Sequence, residues 1–137
     1  MTYQFVPHTA DIKAVVTAAD LPSLYRDATG LVRELLVGGS PVSPLEIRTI
    51  AVPGGDPAHA LFHYLRELLY RFDTERFVPH SCELRETTSG AFAARVRGER
   101  FDASRHEAQP EVKAVTRHGL VVERTEAGWR AQVLFDV

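Results

Sequence analysis

The chain has 137 residues, 45% of them hydrophobic and 25% charged, with 16 basic and 18 acidic side chains and a formal charge of −2. That composition excludes disorder, collagen and disulfide scaffolds, and the charge balance excludes the whole-domain basic field of a stand-alone nucleic-acid binder. A chain near this length buries roughly 70% of its unfolded surface in one core, so residues 1–137 are expected to form a single domain needing neither disulfide nor structural metal.

The first acidic motif, HTADI, leads into IKAVVTA, where Ile12, Ala14 and Val16 alternate with Lys13, Val15 and Thr17 as in a strand with one buried face. Asp20 supplies an N-cap and Pro22 sits in the first turn of a helix, whose apolar residues from Leu21 to Leu36 recur at three and four. Gly38 and Gly39 end it, because glycine readily takes the left-handed conformation of a C-terminal cap. GGSPVSP is a loop, and LEIRTIAV is rich enough in β-branched residues to be a strand. Asp56 and Pro57 then open a second helix, with Ala58, Leu61, Phe62, Leu65, Leu68, Leu69 and Phe72 as its core stripe.

From residue 80 the period changes to two, and Cys82 and Leu84 lead through a Ser89-Gly90 turn to Phe92, Ala94 and Val96, a hairpin. GERFDASRHEAQP has no period and reads as a loop; EVKAVT, GLVVERT and WRAQVLFDV read as three strands, with Gly128 marking the last turn. The order of elements predicts an α+β fold, two helices packed on a mixed, mainly antiparallel β-sheet.

Asp11 precedes an apolar strand and Asp136 is next to last, followed by Val137 with its α-carboxylate. Three such hard oxygen donors suit Ca²⁺ or Mg²⁺ if the fold joins them; otherwise each aspartate reads as a solvated or turn residue. His59, His63 and Glu67 line one face of the second helix, but no glutamate follows His59 as a zinc-protease helix requires, so this is read as a solvated face. Lys113 interrupts VKAV on the side of Val115, where a lysine commonly snorkels to water. Cys82 reads as a core thiol, since nothing near it would favour a thiolate. No nucleotide-binding glycine loop, hydrolase elbow or RNA-binding aromatic pair is present. The start MTYQFVPHTADIK lacks the features of a signal peptide, and no run approaches the roughly 20 apolar residues of a membrane span; the expected location is a reducing cytoplasm, without membrane contact.

HTADI, LLYRFDTE, GERFDASRH, EVKAVT and the terminal FDV together resemble the archease family, in the family's order and from residue 8 to the last. The resemblance implies a protein that is not itself an enzyme but activates the RtcB-type RNA ligase, which joins RNA ends in tRNA splicing and repair. It would promote GTP-dependent guanylylation of the ligase's histidine and restore its turnover, meeting RNA only through the ligase. The same resemblance implies a divalent-cation site, most simply Ca²⁺, at Asp11 and Asp136 with help from Val137. It gives Lys113 a contact to the ligase or its bound nucleotide, with His8 and Glu67 as lesser candidates. Two departures bear on the metal: Pro7 stands where the family pattern has an acidic residue, and Lys13 where it has glycine. Two other functions compete, an independent metal-dependent hydrolase built on the same aspartates and a general interaction or chaperone module with an exposed apolar patch.

Overall fold

The structure is a computed structural model that describes residues 2–7, 11–88 and 90–137. Its elements are β1 (Thr2–Pro7), β2 (Asp11–Ala18), α1 (Leu21–Val37), β3 (Glu46–Val52), α2 (Pro57–Glu75), β4 (Phe77–Glu86), β5 (Phe92–Arg100), β6 (Ala114–Thr125) and β7 (Gly128–Asp136). The α+β class and the two helices agree with the sequence pattern. The sheet is not single or mixed: the strands form two sheets, ordered β1-β2-β7-β6 and β3-β5-β4, and every pairing is antiparallel.

Both helices start as their caps require. The Asp20 carboxylate accepts from the Ser23 amide at 2.8 Å and that of Asp56 from the Ala58 amide at 3.2 Å, which satisfies amides that have no partner inside a first turn. Gly38 closes α1 at φ 61°, its N–H donating to Glu34 O at 2.8 Å. The end of α2 could not be anticipated in this way, because Arg76 takes the left-handed conformation at φ 56° without being glycine. Its guanidinium lies 4.1 Å from the Phe72 ring centre and 5.3 Å from that of Phe101, an attraction that offsets the backbone cost.

One contiguous core joins the two layers. α1 packs on β4 and β2, and α2 on β6, β3 and β4. Leu24, Leu31, Leu61, Tyr64, Leu65 and Phe135 are among its fully buried side chains. Cys82 belongs to this core as expected: burial pushes its thiol up, and Tyr64, with its own hydroxyl raised well above the ordinary range by burial, lies beside it. Thr29 Oγ donates to Tyr25 O at 2.7 Å and so accepts from the Tyr64 hydroxyl at 2.7 Å, which pairs both buried hydroxyls.

One strand expectation needs correction. EVKAVT and GLVVERT are not separate strands; β6 runs through both, with its pairing to β7 irregular between Thr116 and Val121, so Gly119 at φ 73° marks a bulge and not an end. Residues 2–7 form β1, an edge strand that ends at Pro7. The Ser89-Gly90 turn is described only in part, Ser89 lying outside the described residues; Gly90 has φ 78°.

Gly98 sits in β5 where the backbone of β4 comes closest. A Cβ there would overlap the Val78 carbonyl oxygen and meet Pro79 Cα at 3.0 Å, whereas one at Gly39 would meet nothing within 4 Å. Gly98→Ala is therefore expected to destabilise the fold by about 3 kcal/mol and Gly39→Ala to change it by less than about 1 kcal/mol, measured by urea unfolding. Equal midpoints for the two variants would show that β4 and β5 are not this closely apposed.

Candidate functional site

The two inner strands of the larger sheet bring the outer parts of the chain together. β2 and β7 pair so that Asp11 stands directly opposite Asp136, Ile12 opposite Phe135 and Lys13 opposite Leu134. Directly opposed residues share a face, with Cβ atoms about 5 Å apart, so both aspartates project from the face turned away from buried Phe135. Asp11 is half-buried and Asp136 exposed. Val137 follows Asp136 at the same corner and is 40% exposed.

Lys113 joins this corner through its backbone. Its N–H donates to Asp136 O at 2.8 Å, just before β6 begins with Ala114 opposite Asp136. The lysine side chain is exposed and makes no ion pair among the described residues. Lys13, two residues along β2, shares the face of Asp11, so the departure seen in the sequence places a cation about 7 Å along the strand from the first aspartate.

The remaining candidates do not join the pair. His8 lies outside the described residues. Glu67 is half-buried on α2; His59 is exposed, and His63 Nδ1 lies 3.4 Å from Arg66 Nη2, as suits a solvated face. Among the described residues no three His, Cys, Asp or Glu side chains gather as a metal cluster. The donor chemistry of the aspartate pair nevertheless fits a hard cation: two carboxylates on adjacent strands supply part of a shell of roughly six to eight oxygens, the rest coming from Val137, water or a bound molecule.

Beneath this corner, on the opposite face, lies an apolar groove of about 510 Å³ lined by Phe5, Ile12, Leu35, Pro110, Val112 and Val137, with Glu34 at its edge. Ile12 and Val137 are the chain neighbours of the two aspartates, so alternation along each strand places carboxylates on one side and the groove on the other.

Residues 101–113, which deliver Lys113 to the corner, are held by a network that residue spacing did not reveal. Glu99 and His106 are each 3% exposed, and His106 Nε2 lies 3.2 Å from Glu99 Oε2. His106 Nδ1 accepts the Asp102 N–H at 2.9 Å, which assigns the proton to Nε2 and makes it the donor to Glu99. Glu99 also accepts from the Ser43 amide at 2.6 Å and from the Arg105 guanidinium. Burial pushes the Glu99 carboxyl up, but Arg105, Ser43 and His106 outweigh it and hold the group below the usual glutamate range. Asp102 is also lowered, by the Ser104 hydroxyl and amide and then by Arg105. Further ties run from Phe101 N–H to Arg76 O at 2.7 Å and from Glu107 N–H to Ser40 Oγ at 2.8 Å. The available signal was a Glu and a His seven residues apart in an aperiodic polar segment.

The family model described as Archease protein family (MTH1598/TM1083) matches residues 3–137. The chain belongs to the archease family. It is 34% identical to the protein archease of Archaeoglobus fulgidus and 31% identical to that of Methanopyrus kandleri, each alignment covering 100% of both chains. The solution structure of Methanobacterium thermoautotrophicum protein 1598 matches with a TM-score of 0.83 at 25% identity, covering 98% of each chain. The fold is shared with a Thermotoga maritima protein described as an archease, possible chaperone, at a TM-score of 0.70 and 20% identity, over 96% of this chain and 94% of that one. This archease shares with those structures an architecture of two helices and two antiparallel sheets.

The loop network gives this archease a pH signature. A depressed carboxyl pKa contributes stability above its unfolded value, about 4.5 for glutamate, and loses it as pH falls through the folded value. Glu99→Gln is expected to cost about 2 kcal/mol at pH 7 and progressively less below pH 4.5, read from urea unfolding at both pH values. A cost independent of pH would show that the Glu99 charge does not hold the loop.

Proposed function

We propose that this archease activates an RtcB-type RNA ligase by presenting its Asp11–Asp136 corner to the ligase's nucleotide site. The observation that carries the reading is the register of β2 and β7, which sets two carboxylates of the family's motifs side by side, with the Lys113 backbone bonded to one of them. When bound, a divalent cation, most simply Ca²⁺, supplies positive charge beside the nucleotide phosphates; Asp11 and Asp136 would hold it, with an oxygen from Val137.

In guanylylation a ligase histidine nitrogen forms a bond to the α-phosphorus of GTP and pyrophosphate departs, so negative charge must be met where it develops. Lys113, exposed and free of any ion pair among the described residues, can offset that charge without giving up a partner. The apolar groove behind the aspartates offers the ligase a contact that does not depend on the ion. No helix among the described residues is long and apolar enough to cross a membrane. The groove also favours a second reading, a holding role toward apolar segments of other proteins. That role predicts suppression of client aggregation that Asp11→Ala leaves intact.

Single-turnover guanylate transfer, with ligase, GTP, Mn²⁺ and saturating archease, separates the roles. Asp11→Ala and Asp136→Ala should each abolish acceleration and lose Ca²⁺ binding in calorimetric titration, while Lys113→Ala should slow transfer about a hundred-fold with Ca²⁺ affinity unchanged. Full acceleration by Lys113→Ala would remove the lysine from the mechanism, and unchanged Ca²⁺ affinity in either aspartate variant would remove the shared ion. Lys13→Ala, which deletes a cation on the same face, should tighten Ca²⁺ binding a few-fold. Weaker binding in that variant would place Lys13 elsewhere.

A further inference from the structure

Most arginines of this chain have a partner: Arg48 and Arg71 share Glu75, Arg105 holds Glu99, and Arg76 lies over Phe72. Arg85, Arg95, Arg97 and Arg100 differ, since none of them makes an ion pair or ring contact among the described residues. The first three occupy one surface. Their strand neighbours Cys82, Ala94 and Val96 are buried, so alternation turns Arg85, Arg95 and Arg97 to the solvent face of the smaller sheet.

The register sets their spacing. Arg97 and Arg95 are two residues apart on β5, and Arg85 stands on β4 opposite Ala93, one further step along the same direction. The guanidiniums therefore spring from an oblique row with steps of about 7 Å along the strands, comparable with the separation of successive phosphates in an extended nucleic-acid strand. Ile47, Thr49, Ala51, Ser81 and Ala93 surround the row; Glu83 stands directly opposite Arg95 on this face, and Glu99, which has the same parity on β5, is buried and held by Arg105. Arg26, at the start of α1, flanks a groove of about 310 Å³ beside Arg95 and Arg97.

We propose that this face binds the phosphate backbone of a single RNA strand without reading its bases. Guanidinium forks match phosphate oxygens in pairs, and the row carries no aromatic ring on which a base could stack. It lies on the smaller sheet, apart from the carboxylates of the larger one, so a strand held there avoids their repulsion. The choice of RNA rests on the ligase reading; the phosphate chemistry rests on this face alone.

The test is fluorescence anisotropy of a labelled twelve-nucleotide oligouridylate with the archease alone, without ligase, between 50 and 200 mM KCl. The variant Arg85→Gln/Arg95→Gln/Arg97→Gln, with wild-type circular dichroism, should weaken binding at least ten-fold. It should also lower the slope of log affinity against log salt by about 2, each single-strand phosphate contact contributing about 0.7. The three corresponding Arg→Lys changes should keep the slope, and Arg117→Gln/Arg124→Gln on the other sheet should keep both slope and affinity. The proposal is overturned if wild type shows no salt-dependent binding or if the triple Gln variant binds as wild type does. It is also overturned if oligoglutamate of equal charge displaces the RNA as well as unlabelled RNA does, which would make an acidic protein segment the occupant. None of these failures would alter guanylylation by the isolated pair of proteins, so they leave the activator reading standing.

Discussion

The antiparallel register between β2 and β7 is the constraint on which the candidate site depends. These are the inner strands of the four-stranded sheet, each paired on both sides, and their pairing brings residue 11 beside residue 136. A slip of one residue would turn every side chain of one strand to the other face, moving Ala14, Val16, Val133 or Phe135 out of the core as it separated the two aspartates. Burial of those apolar side chains, at about 25 cal/mol per Å² of surface removed from water, therefore fixes the geometry of the carboxylates, which themselves contribute little to stability. Like-charged carboxylates directly opposed across a ladder are unfavourable, and the hydrophobic face supplies the force that keeps them there.

Around this corner the molecule separates its chemistry by surface. Carboxylates occupy the outer face of the larger sheet and an apolar groove lies behind them. Arg85, Arg95 and Arg97, which make no ion pair among the described residues, occupy the outer face of the smaller sheet. The net charge of −2 conceals this arrangement because it sums surfaces that face different ways. The segment between β5 and β6 links the parts: the Glu99–His106–Arg105 network anchors its start and the Lys113–Asp136 backbone bond its end. Lys113 thus stands at the end of a segment anchored at both ends, which restricts the freedom of its backbone.

The helices were legible in the sequence because their signals are local: Asp20 and Asp56 as caps, a period of 3.6 between, and Gly38 after α1. β3 was legible from its β-branched residues and β4 and β5 by alternation, for the same reason. Division into two sheets was not, since strand pairing depends on contacts far apart in the chain that no window of residues contains. The continuity of β6 was hidden by Gly119, where a bulge and a turn have the same residue signature. Arg76 was illegible because its left-handed backbone depends on Phe72 and Phe101, one of them far along the chain. Of the site, residue chemistry nominated Asp11 and Asp136, but only the register of β2 and β7 joins them. The buried pairing of Glu99 with His106 could be seen only once the loop closed over it.

The proposed cation site depends on this register to join the two outer parts of the chain. Paramagnetic broadening of backbone amide resonances by substoichiometric Mn²⁺ tests it most directly, because broadening falls steeply with distance from the ion. The amides of Asp11, Ala114 and Asp136 should broaden first and together, be restored by excess Ca²⁺, and stay sharp in Asp11→Asn, while those of His59, His63 and Glu67 are spared. Broadening centred on α2, or confined to one of the two aspartates, would contradict the claim.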